Sequence, residues 1–404
     1  MTKIKICDAI MGSGKTTAAI NYMNGSDGKF VFITPYLAEC DRIIEGCPDK
    51  DFKSPRGEHR SKLMSLHYLL GQGCSVSSTH ALFSSYTDET VQLIKDGHYT
   101  LIMDEVFDVV QEMHVTKEDL NDLKASGYIK VDEATCKVTW LNDNYIGSHF
   151  QDLMTRAKSG TVYYFNDTFL FWMFPPEVFR AFDEVIVLTY MFDAQLQRYY
   201  FDSNGFYYQY ISVGLDERGD YSFVDKGEGE RKIPGLKDKI SILDEQKFNY
   251  IGDNRYALSA HWSEKAFKNK DKAKRMTNDI YNVLHNKFKG KAGNSMWTAY
   301  KGCQACLTKK GYKSSFVPFN ARATNAYREC TNLAYCVNVF LNPFMRAYFN
   351  SCGCEIDEDR YALSEMVQWV WRSAIREGQN INLYVPSRRM RNLFTRWLDE
   401  VGGE

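Results

Sequence analysis

In the first half of the chain, short apolar runs alternate with segments of helical spacing. The runs Ile4–Ala9, Phe30–Thr34, Cys74–Ser78, Thr100–Met103 and Val185–Leu188 are bounded by turn residues and read as strands. Thr16–Tyr22 and Leu37–Ile44 lie between them and carry apolar residues at helical spacing. Strands alternating with helices predict an α/β domain with a parallel sheet. Residues 112–180 interrupt the alternation as a helical (Lys117–Lys124) and aromatic-rich insertion before the last strand.

The pattern changes after Tyr190. Arg198–Val213 carries Tyr and Phe on both sides of Ser203-Asn204-Gly205, the signature of a hairpin. Residues 214–245 are polar and read as a loose connection. The alternation then resumes, with strands expected at Tyr256–Ser259, Met296–Tyr300, Ser315–Phe319, Ala334–Leu341 and Ile381–Val385. Helices are expected at Ala266–Phe288, Ser364–Glu377 and Arg389–Val401. The pattern predicts two domains, 1–197 and 198–404.

At 404 residues, 44% hydrophobic and 25% charged, the composition is that of a soluble globular protein. No apolar run approaches the roughly 18 residues of a membrane span. The N-terminal apolar run breaks at Asp8, so no signal peptide is expected. Eleven cysteines without a regular frame read as reduced thiols, and a cytoplasmic location (host cytoplasm if the source is viral) is expected. Cys303-x-x-Cys306 and Cys352-x-Cys354 do not follow a standard zinc spacing, and buried thiols are the favoured reading; metal binding stays open. His114 has no partner pattern.

The net charge of -1 conceals an uneven distribution. Residues 1–200 sum to -8 and residues 201–404 to +7, while 255–330 alone reaches +12. An acidic half followed by a basic half suggests two modules with different tasks.

The candidate chemistry begins at Ala9-Ile-Met-Gly12-Ser13-Gly14-Lys15-Thr16-Thr17, between the first strand and first helix. It fits the phosphate-binding loop G-x-x-x-x-G-K-[ST] except at Ala9. Glycines let backbone N–H groups turn toward phosphate oxygens, Lys15 would neutralise the β- and γ-phosphates, and Thr16 would ligate Mg²⁺. Asp104 and Glu105 end an apolar strand, where ligands of such sheets sit. Asp104 would hold Mg²⁺, and Glu105 would orient or deprotonate an attacking water.

With these two motifs in place, the sequence resembles the superfamily 2 helicases, most closely the phage-type DEAD/DEAH-box proteins. Gly12–Thr17 matches motif I and Asp104-Glu105-Val106-Phe107 occupies motif II. Thr34-Pro35 and Thr79-His80 look like the two motifs that contact the nucleic-acid backbone. Thr189 sits where a motif couples ATP state to domain movement. Arg322, Thr324 and Asn325 look like motif V, which touches nucleic acid. Gln368, Arg372 and Arg376 fall in motif VI, where an arginine reaches the γ-phosphate; Arg376 is favoured over Arg372. The chain departs from the family at Phe107, where Asp or His is usual, and in the four-residue spacing of the two arginines, which would put both on one helix face.

The resemblance implies two RecA-like domains with ATP and Mg²⁺ as cofactors. It implies single-stranded nucleic acid as partner, DNA favoured over RNA, and a monomer acting with replication, recombination or repair proteins. Aromatics interleaved with the basic stretch (Trp262, Tyr281, Phe288, Trp297, Tyr300 and Tyr312) could stack on bases. The expected function is an ATP-driven helicase or translocase. The alternatives are a remodeller or switch that hydrolyses ATP without unwinding, and a P-loop nucleoside kinase, whose expected cysteine quartet after the acidic motif is missing.

Overall fold

The structure, a computed structural model, describes residues 2–57, 60–227, 232–309, 311–321 and 326–402. It forms two compact units. The first comprises the chain up to Asp8, Lys15–Asp225 and Asn342–Ile356; the second comprises Ala9–Gly14, Lys226–Leu341 and the chain from Asp357 onward. Each is α/β and built on a parallel sheet, the class expected from the alternation.

The first unit opens with β1 (Lys3–Asp8), β2 (Lys29–Thr34), β3 (Val76–Thr79) and β4 (Tyr99–Asp104). Strands β5 (Val110–Glu112), β6 (Ile129–Val131), β7 (Val138–Trp140), β8 (Val162–Phe165) and β9 (Phe169–Met173) form the insertion. Strands β10 (Glu184–Thr189), β11 (Tyr208–Leu215) and β12 (Tyr221–Asp225) return to the main sheet. Its order is β12-β11-β1-β10-β4-β2-β3, parallel throughout except for β12. Val185–Leu188 and Leu101–Met103 are buried on both faces, as central parallel strands require. Helix Lys15–Asn24 packs Ala18, Ala19 and Met23 onto Phe30, Phe32 and Ile186.

The second unit carries β13 (Ile240–Ile242), β14 (Ser295–Thr298), β15 (Asn332–Tyr335) and β16 (Ile381–Tyr384), in the order β13-β16-β15-β14 and all parallel. Helices Lys270–Tyr281, Glu358–Val370 and Arg388–Gly402 accompany it.

Several expectations are corrected. The boundary expected at 197/198 falls at 225/226, because β11 and β12 extend the first sheet. The hairpin expected around Ser203-Asn204-Gly205 is the end of helix Leu196–Ser203; the true hairpin joins β11 to β12. Tyr199, Tyr200 and Phe201 are core residues there, and Tyr200 donates from its hydroxyl to Phe174 O at 2.8 Å. The insertion is not only helical. It holds an antiparallel sheet, β5-β9-β8, and the hairpin β6-β7, around Leu120, Leu123, Trp140, Leu153 and Leu170. Tyr256–Ser259 is loop, Ser315–Phe319 gives a single bridge from Phe316 to Trp297, and β13 was not anticipated. The long helix expected over Ala266–Phe288 starts a few residues later, where the Asn269 side chain caps the N–H groups of Asp271 and Lys272, and runs on through Asn282–Lys287.

Candidate functional site

Three carboxyl-terminal strand ends meet in register in the first unit. Asp8 of β1 pairs with Thr189 of β10, and Leu188 pairs with Asp104 of β4. Beyond β1 the backbone turns through Gly12 (φ 83°) and Gly14 (φ 91°), and Ser13 N donates to Ile10 O at 3.2 Å. Both angles lie in the left-handed region, where a side chain strains the backbone, so glycine is required at each. Helix Lys15–Asn24 then begins, with Thr16 and Thr17 partly exposed in its first turn.

Lys15 lies among Cys7, Asp104, Asp8 and Glu105. Desolvation lowers its pKa, and these anionic or ionisable neighbours act against that shift. Asp104 shows the complement. Burial first and the charge of Glu105 second push its carboxyl up to about 7, against the pull of Lys15. Glu105 takes a left-handed φ of 66°, uncommon for a residue with a side chain, and its N–H donates to Leu188 O at 2.9 Å. Its Oε2 is buried without a hydrogen-bond partner, as is the Oγ of Ser13. The Lys15 ammonium, the carboxyl groups of Asp8, Asp104 and Glu105, and the unsatisfied Oε2 of Glu105 suit a divalent cation and phosphate oxygens.

Further groups clamp the strand ends and the turn after β4, and of these sequence reasoning missed Gln197 and Met191. Gln197 accepts from Phe107 N at 2.8 Å, and its Nε2 lies 3.7 Å from Met103 Sδ. Met191 N donates to Asp8 Oδ1 at 2.8 Å. His80 Nε2 lies 3.1 Å from Asp104 O and its ring meets Phe107 edge to face. Phe107 itself is buried against Phe83 and Phe174. No short motif announces Gln197, because its partners stand about 90 residues away in sequence.

Thr34 and Thr79 are register partners at the ends of β2 and β3, so these two candidate nucleic-acid residues are brought together. Thr34 is wholly buried, Pro35, Thr79 and His80 are partly exposed, and Tyr36 and Leu37 next to them are exposed. Thr189 is buried in the first unit, whereas Gln368 is partly buried in helix Glu358–Val370 of the second. Arg322, Thr324 and Asn325 lie outside the described residues.

The expectation that Arg372 and Arg376 share a helix face is corrected. The helix stops at Val370, Arg372 lies in the following turn at 8% exposure, and Arg376 is exposed on a separate short helix, Ala374–Glu377. Ala374 N donates to Cys330 O, which pins the break. The aromatics of the basic stretch are also reassigned. Trp297 and Tyr312 are buried, while Trp262, Tyr281 and Phe288 pack on the same core. Tyr300 uses its hydroxyl on Asn338 O. Lys265, Lys268, Lys270, Lys272 and Lys274 are exposed. Cys303 and Cys306 lie in the second unit, and Cys352 and Cys354 in the first.

Comparison with known proteins places this architecture. Residues 110–172 match the YonV middle domain, which coincides with the insertion, and residues 234–398 match the YonV C-terminal Rossmann-like domain. A structure of apo XPD covers 98% of this chain and 95% of its own, with TM-score 0.54 and 11% identity, so the tandem RecA-like α/β fold is shared. The S. tokodaii Xpd4 structure matches over 98% and 94% with TM-score 0.47 and 10% identity. The SPbeta prophage-derived uncharacterized protein YonV of Bacillus subtilis (strain 168) is 42% identical over 415 residues, 99% of each chain. With that identity along its whole length, the chain belongs to the YonV family.

Proposed function

We propose that this protein is an Mg²⁺-dependent ATPase that moves along single-stranded nucleic acid, DNA in preference to RNA. The observation that carries the reading is the gathering of Lys15, Asp8, Asp104 and Glu105 at the strand ends of the first unit. Bound Mg²⁺-ATP would supply the phosphoanhydride bond whose hydrolysis drives movement. Gly12, Ser13 and Gly14 would cradle its phosphates, Lys15 would offset their charge, and Thr16 with Asp104 would hold the metal. Glu105, with an oxygen that no protein donor occupies, takes the proton of the attacking water. Arg376 is the candidate for sensing the γ-phosphate because it is exposed, whereas Arg372 is buried. The prophage origin of the YonV relative fits a role in phage-type replication, recombination or repair.

A second reading, a nucleic-acid-bound switch that hydrolyses ATP without unwinding, is favoured by Phe107. An apolar ring packed among Phe83 and Phe174 replaces the polar group that would sense nucleotide state. The test is ATP turnover with and without single-stranded DNA, beside strand-displacement and translocation assays. Single strands should stimulate turnover, and Lys15→Ala should abolish it. Turnover indifferent to every nucleic acid would overturn the reading. Translocation without strand displacement would select the switch.

A further inference from the structure

An exposed aromatic ring in the second unit has a setting that the reassigned aromatics of the basic stretch lack. Tyr256 is 60% exposed, on the loop that precedes helix Ala260–Ala266. Its ring lies 5.6 Å from that of the half-buried Phe340, at 37°. The guanidinium of the exposed Arg255 is 5.9 Å from the Tyr256 ring, and that of Arg389 is 4.3 Å from the Phe340 ring.

This loop is built to hold its place. The wholly buried Asn338 donates from Nδ2 to Arg255 O (2.8 Å) and Ala257 O (2.9 Å). Its backbone N donates to Leu258 O at 2.8 Å, and its Oδ1 accepts from Arg389 at 3.0 Å. Leu258 is buried with a left-handed φ of 64°, a conformation costly for a branched side chain that persists only because these bonds enforce it. Gly252 passes so close to Pro386 that any side chain there would strike its carbonyl. The loop therefore sits against the segments that leave β15 and β16, at the carboxyl-terminal edge of the sheet. Open α/β sheets bind their ligands at that edge. The exposed Lys301 follows Tyr300, which is tied to Asn338 O.

We propose that Tyr256 is a stacking platform for a base of single-stranded nucleic acid, with Asn338 as the residue that positions it. The inference rests on the proposed nucleic-acid reading. One exposed flat ring, backed by a second ring and edged by the exposed Arg255 guanidinium, suits a planar base on a phosphate chain rather than an extended protein surface. Because stacking reads the face of the base and not its edge, the site accepts bases of any sequence.

The test compares binding of the full chain to a labelled oligothymidylate and to an abasic strand of equal length. The wild-type protein should prefer the base-bearing strand. Tyr256→Ala should bind oligothymidylate at least about fivefold more weakly and the abasic strand as before, while Tyr256→Trp keeps the preference. Circular dichroism of each variant checks its fold, and Tyr256→Phe, which keeps the ring, should behave as wild type. Equal binding of oligothymidylate by wild type and Tyr256→Ala overturns the inference and leaves the nucleic-acid reading standing, as does an equal loss on both strands. Failure of the wild-type protein to bind either strand overturns the nucleic-acid reading itself.

Discussion

Asp104 carries a pH signature that belongs to one side chain. Burial and Glu105 raise its carboxyl from 3.8 to about 7. Between roughly pH 4 and pH 7 the folded chain then holds a proton that the unfolded chain has lost. Stability from this group is therefore full below pH 4, falls as pH rises through that window and levels off above it. In metal-free buffer, the melting temperature of wild type should fall more between about pH 5 and about pH 8 than that of Asp104→Asn. Parallel profiles would refute the assignment. The two arginines of the 372–376 segment separate in the same way. Arg372→Ala removes a buried side chain and should cost about 1–3 kcal/mol in denaturant unfolding. Arg376→Ala should leave unfolding within about 0.5 kcal/mol and lower ATP turnover on the order of a thousandfold. The glycine turn before Lys15 and the Asp104-Glu105 strand end were legible because each is local: a few contiguous residues form it. Gln197 and Asn338 were not legible, since each acts through bonds to residues tens of positions away.

At the scale of elements, helix Pro343–Ser351 stands apart. Its sequence lies between two stretches of the second unit, yet it belongs to the first. Asn342 caps it through Phe344 N and also donates to Glu112 at 3.0 Å. Tyr348 packs against Tyr163, Phe165 and Phe171 of the insertion, and Phe344 stacks on Phe169. Tyr348→Ala should cost about 2–4 kcal/mol, read as faster amide hydrogen exchange in β8 and β9 with the main sheet unchanged. Unaltered protection of β8 and β9 would show that the helix does not hold the insertion. The sequence pattern did not indicate this helix, because its apolar side chains answer to a partner surface nearly 200 residues earlier. The same limit explains the misread hairpin. Aromatics at 199–201 suit a strand by propensity, and burial against Phe174 and Phe179 decided for a helix.

At the scale of the molecule, the net charge of -1 is the sum of unlike parts, and the +12 stretch at 255–330 falls in the second unit. If about six phosphates are neutralised there, the logarithm of affinity for single strands should fall with the logarithm of salt at a slope of about -4. A flat salt dependence would exclude this stretch as the track. The chain by itself determined the α/β class, the glycine turn before Lys15, the acidic strand end and the division of charge. Each is written in neighbouring residues or in composition, so no distant contact is needed to read it. Only the tertiary structure decided where one unit ends, which aromatics are core, which arginine is exposed and that Tyr256 stands on a second ring. Those outcomes depend on which surfaces close over one another, and burial of a side chain is a property of its neighbours in space rather than in sequence.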